Sequence, residues 1–188
     1  MGYRRGFKTE ANDIARQVRA ELDLRPVDPL NPWALAEHLG IPIIPLSDYT
    51  RDAPLAAAHF RSVEPDAFSA VTVFHGIRRT IVHNDAHSSG RQANNLGHEI
   101  SHGLLLHPPM PALDLRGCRY WNQDLEAEAK WLGAALLISE EAALAIARSS
   151  LSIEDAACRY GVSTQLVQMR LNVTGAYERI NRARRRSS

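Results

Sequence analysis

Cysteine is nearly absent from this chain. Cys118 and Cys158 are the only two and have no CxxC spacing, too few for a disulfide framework and in keeping with a reducing compartment, although a single bridge between them stays open. Long hydrophobic runs are missing too. The basic start, MGYRRGFKTE, has no apolar stretch behind it, and no window approaches the roughly 20 apolar residues that span a bilayer. A cytoplasmic protein without a membrane partner is therefore expected. Nor is there an excess of charge of one sign: the formal net charge is +1, which gives no general field for nucleic acid or anionic lipid. The exception is local, a run of Arg179, Arg182, Arg184, Arg185 and Arg186 with Glu178 as the sole acid nearby.

What is present is an ordinary globular balance, 45% hydrophobic and 23% charged over 188 residues, enough for one real core and favouring one domain over two. Ala11, Ile14, Ala15, Val18 and Leu22 describe one face of a first helix. Asn31 and Pro32 read as N-cap and first turn of a short second helix that Gly40 ends. Strand signals follow: Ile41, Ile43 and Ile44, broken by Pro42 and Pro45 and so suited to an edge; Ala56 to Arg61; Ala70 to Phe74; and Thr80 to His83, with His75 and Gly76 near the turn. A small, mostly antiparallel sheet is the simplest assembly.

From Ser89 the pattern is helical. Ser89 and Gln92 have capping-box spacing, the helix can run to about His107, and Pro108 and Pro109 stop it. A loop is expected over 108–122, then a helix from Asn122 or Asp124 through Leu125, Ala129, Leu132, Ala135 and Leu136. Ser139, Ser152 and Ser163 read as further N-caps. The fold class is α+β, with the sheet packed against one central helix and a helical C-terminal region.

That central helix carries His98-Glu99-Ile100-Ser101-His102, an HExxH motif. Residues four apart lie one above the other on a helix, so the two imidazoles face one point and supply half of a tetrahedral zinc site. Glu99 lies about 100° around from His98, placed to act as general base rather than ligand. Leu96, Ile100 and Leu104 make the helix apolar on another side, as a buried helix requires. A third ligand is needed if one position is to stay open. Glu126, 24 residues after His102, and Glu128 are nearly equal candidates, with Asp124 third and His87 and His107 further off.

The segments TIVHN at Thr80 to Asn84, GHEISHGLLLH at Gly97 to His107 and EAEAKWLGAALL at Glu126 to Leu137 together resemble the ImmA/IrrE-like metallopeptidases, intracellular zincins of bacteria and phages. The resemblance implies a zincin-like core over about 9–150, with a helix-turn-helix-like pair over 151–175 packed on it and a basic tail over 176–188. It implies Zn2+ held by His98, His102 and Glu126, with Glu99 as catalytic base and Glu128 as a helix neighbour. It further implies an endopeptidase whose protein substrate is a transcriptional repressor or similar regulatory protein. Two positions depart from the family pattern. Lys130 stands where Asn or Asp is common and, four residues after Glu126, is expected to compete for it as an ion pair. Ser139 stands in place of a proline and is expected to cap the next helix.

The C-terminal third has a helix-turn-helix rhythm, with Ala157 at the crossing, Gly161 at the turn and Val167 and Leu171 facing inward. As a reader it would present Thr164, Gln165 and Gln168 to a groove and Arg170 and the arginine run to phosphates. Direct nucleic-acid binding is the weaker reading, since Arg170 is the one base of the second helix, and the arginine run reads as a frayed, solvated end. The alternative to an enzyme is a DNA-binding or protein-interaction regulator with a structural or vestigial metal site. Tyr120, His107 and His87 are candidate donors to a developing oxyanion.

Overall fold

The computed structural model describes residues 3–108 and 122–186, which leaves Cys118, Tyr120 and most of the expected loop outside the described residues. Helix α1, Phe7–Glu21, buries Phe7, Ala11, Ala15 and Val18, the stripe set by its periodicity. Asn31 caps α2, Pro32–His38, by accepting from the backbone N–H groups of Trp33 and Ala34, and Pro32 occupies the first turn where its missing N–H costs nothing.

Among the described residues three strands form one sheet in the order β1-β3-β2: β1 is Ile43–Pro45, β2 Ala70–His75 and β3 Arg78–His83. β2 and β3 form an antiparallel hairpin over six residue pairs, and β1 runs parallel to β3 over three. The sheet is thus mixed, with antiparallel pairs in the majority. The proline-flanked β1 lies at one edge and β2 at the other, and among the described residues no strand covers the outer edge of β2.

The segment 56–61, expected as a strand, is instead helical: α3 spans Pro54–Ala58 and continues into a π-turn at His59–Val63. Three consecutive alanines, Ala56 to Ala58, behind a proline at the first helical position favour a helix over a pleated strand. Asn84 pins this excursion to the sheet by donating to the carbonyls of Phe60, Pro65 and Phe68.

Helix α4, Ser89–Leu104, packs beneath the sheet and against α5, Gln123–Leu137. The anticipated capping box at Ser89 does not form. Ser88 takes the N-cap position, and the Gln92 amide donates to the carbonyls of Asp85 and His87. α4 also ends at Leu104 rather than near His107, because Leu106 turns left-handed at φ 53°. Where α4 meets α5, a Cβ on Gly133 would stand 2.9 Å from the backbone of Gly97 and His98, so only glycine allows this approach.

Four further helices follow among the described residues: α6, Glu140–Arg148; α7, Ile153–Tyr160; α8, Thr164–Val173; and α9, Ala176–Arg186. Ser139, Ser152 and Ser163 accept the expected capping hydrogen bonds of α6, α7 and α8. The arginine run, expected to be frayed, is helical through Arg186 and is held at its start by buried Ala176 and Ile180.

Two apolar clusters result. One joins α1, α2, the sheet, α4 and one side of α5; the other joins the end of α5 to α6, α7, α8 and the start of α9. Gly90, in the first turn of α4, lies against the turn between α7 and α8, where a Cβ would meet Val162 at 2.7 Å. The helical half therefore buttresses the helix that carries the HExxH motif. Among the described residues no helix is long and apolar enough to cross a membrane.

Candidate metal centre

Helical geometry stacks His98 above His102 on α4, with their Nε2 atoms 3.2 Å apart. The third donor comes from α5. Asn122 accepts from the N–H groups of Asp124 and Leu125 and so fixes the start of that helix, which puts Glu126 in its first turn opposite the two imidazoles. One Glu126 oxygen lies 3.1 Å from His98 Nε2 and the other 3.7 Å from His102 Nε2. These three residues converge within 4.8 Å of one another as a group that could hold a metal ion.

The donor set fits zinc in kind and in spacing. Two ligands about 2.0–2.1 Å from a tetrahedral zinc lie roughly 3.3 Å from each other, close to the separations present here. Three donors from two helices leave a fourth position for water or substrate, and all three side chains retain solvent access, at 27%, 23% and 22% exposure for His98, His102 and Glu126. Burial opposes the charge of Glu126, but its contacts with His102 and His98 hold its carboxyl well below the usual carboxylate range.

Glu99 does not join the three. Its carboxylate accepts a 2.6 Å hydrogen bond from the Thr72 hydroxyl of β2, which ties it to the sheet above the motif. Thr72 carries no motif signal. The sole hint in the sequence is that a polar residue interrupts the inward-facing series Ala70, Thr72, Phe74.

The other candidates separate clearly. Glu128, two residues on and about 200° around the helix from Glu126, is buried; it faces Arg4, whose Nε lies 3.1 Å away, and His107, whose Nε2 lies 3.7 Å away. Asp124 is exposed beside a cleft of about 560 Å³ lined by Tyr3, Arg4, His107 and Glu128. Two of the proposed oxyanion donors are committed elsewhere. His107 is buried with its Nδ1 2.9 Å from Nδ1 of His102, and His87 is buried with its Nε2 2.9 Å from the carbonyl of Pro65.

Lys130 does not form the ion pair expected of it: it is exposed, and among the described residues the ion-pair partners of Glu126 are His98 and His102. The imidazole pair draws the carboxylate inward, while the ammonium keeps its hydration. Arg170, expected at a phosphate, is buried, with Nε donating to the carbonyl of Ile138 at 2.8 Å. Helix α8 is thereby left without an exposed basic side chain, while Gln165 and Gln168 remain at the surface.

No curated protein matches the chain. The IrrE N-terminal-like domain, a peptidase family, matches over residues 36–172, well over half of the sequence and including α4, α5 and all three converging donors. A peptidase domain implies a protein substrate, and a cluster of two histidines and a glutamate at an HExxH helix is what a metal-dependent peptidase needs. The chain belongs to the IrrE N-terminal-like domain family of metallopeptidases.

Proposed function

We propose that this protein is a zinc-dependent endopeptidase of the cytoplasm that cleaves a transcriptional repressor or similar regulatory protein. The observation that carries the reading is the convergence of His98, His102 and Glu126 beside a glutamate, Glu99, that is not itself a donor. Zinc at this cluster would polarise a peptide carbonyl and acidify a water molecule. Glu99 would serve there as the base, accepting a water proton and returning it to the leaving amine. The Thr72 hydroxyl engages one Glu99 oxygen, and the other has no hydrogen-bond partner among the described residues.

The outer edge of β2, the strand that bears Thr72, is uncovered by any strand among the described residues and is suited to an extended substrate segment, which would add main-chain hydrogen bonds there while its scissile bond lies over the donors. The repressor is suggested by the family resemblance. The rival reading, a DNA-binding regulator, loses support from the burial of Arg170, the one base of the would-be recognition helix.

The test is incubation of the zinc-loaded chain with a panel of purified helix-turn-helix repressors, read by intact mass. One repressor cut at a single peptide bond by the parent, and left whole by a Glu99→Gln form that still holds zinc, is the expected result. Undiminished cleavage by Glu99→Gln would overturn the role given to Glu99, and a panel left intact by the parent would overturn the repressor assignment.

A further inference from the structure

Helix α4 ends in a turn with an unusual composition. The N–H of Leu106 bonds to the carbonyl of Gly103, and the N–H of His107 bonds to the carbonyl of His102. These are the paired bonds of a Schellman ending, in which the residue that turns left-handed is normally glycine. Here it is Leu106, at φ 53° and with its side chain 81% exposed, so the chain accepts the steric cost of a β-carbon there without burying the leucine. What the turn achieves is to fold His107 back onto His102. The two rings meet edge to face with centroids 5.0 Å apart, where such endings usually place an apolar contact.

The contact also fixes where protons lie. If Nε2 of His102 is a donor atom toward a metal, its proton must reside on Nδ1. That N–H faces Nδ1 of His107 at 2.9 Å, which must then accept and leaves the His107 proton on Nε2. The Nε2 atom is buried, has no hydrogen-bond partner among the described residues, and faces a Glu128 oxygen at 3.7 Å, beyond hydrogen-bond length but within ion-pair range. Glu128 in turn is gripped by Arg4, whose Nε is 3.1 and 3.3 Å from its two oxygens, and Arg4 is braced by two hydrogen bonds to Glu10. Every tautomer in the series follows from the one before. Arg4 and Glu10 lie before residue 36, outside the span matched by the family.

We propose that His107, backed by Glu128 and Arg4, is a positioning residue for the metal centre: it holds the His102 ring with its Nε2 lone pair toward the ion and raises that nitrogen's basicity. This rests on the reading of His98, His102 and Glu126 as the metal ligands. The segment before α1 thereby becomes part of the metal site although it touches no ligand. Residues that act on a ligating histidine in this way change metal affinity by about 10–100-fold.

The test measures zinc affinity of the full chain by chelator competition, with the absorption spectrum of the cobalt-loaded protein as a second readout. His107→Phe keeps the ring but removes the acceptor and is expected to weaken zinc binding by about 10–100-fold and to alter the cobalt spectrum. Glu128→Gln keeps the shape, removes the charge and is expected to weaken binding by about 10-fold. His107→Gln, which restores an acceptor oxygen, should recover part of the loss. Glu126→Ala serves as the reference, since it should abolish binding. If Glu126→Ala loses zinc while His107→Phe and Glu128→Gln bind like the parent, the positioning role is wrong and the ligand assignment stands. If Glu126→Ala retains zinc, both fall. Should His107→Phe fail to fold, Glu128→Gln decides alone.

Discussion

Over its first two turns α5 offers two carboxylates, Glu126 to the histidines of α4 and Glu128 to His107 just beyond that helix; at its last it offers backbone carbonyls, of Leu136 and Ile138, to Arg19 and Arg170. Both ends follow the helix dipole, with anionic groups at the N-terminus and cationic groups at the C-terminus. They differ in access. Glu126 keeps 22% of its side-chain surface, whereas Arg19 and Arg170 keep 1%. Burial lowers both guanidiniums to about 10, so they stay charged at neutral pH and seal the junction between the two apolar clusters. One helix thus presents an open polar end for chemistry and a closed polar end for folding. Changes at the two ends should be separable, except where α5 itself is displaced.

Gly133→Val is the change that breaks this separation. Its side chain would drive α5 away from Gly97 and His98, which carries Glu126 away from the imidazoles. A loss of about 3 kcal/mol in urea unfolding is expected, together with loss of zinc, because overpacking at a backbone contact cannot be relieved by a rotamer change. Normal zinc affinity in a folded Gly133→Val protein would mean that the crossing does not set the donor geometry.

Arg170→Ala sharpens the comparison. It removes the donor from the buried carbonyl of Ile138 and should cost about 2 kcal/mol in the same experiment, with zinc affinity unchanged in the folded protein. Weakened zinc binding there would show that the helical half acts on the metal centre through α5.

The sequence made one half of this plan far more readable than the other. HExxH spacing brought His98 and His102 together on one face because helical periodicity alone does so, and serine caps marked the starts of α6, α7 and α8. Choosing Glu126 over Glu128 required the family resemblance, since the two lie about 200° apart around α5 and the sequence does not say which side of that helix meets the imidazoles. Thr72, Arg4 and the link from His107 to Glu128 depend on contacts between residues distant in the chain, which no local pattern encodes. The helical reversal of 56–61 shows alanine propensity prevailing over a weak strand pattern, and the burial of Arg170 shows tertiary contact overriding the usual surface preference of arginine.

Equilibrium dialysis against zinc is the direct test of the proposal that Glu126 completes the metal centre. One zinc per chain is expected in the parent and almost none after Glu126→Ala, with the metal-free forms of the two proteins unfolding at nearly the same temperature. Zinc bound equally by the parent and by Glu126→Ala would contradict that proposal.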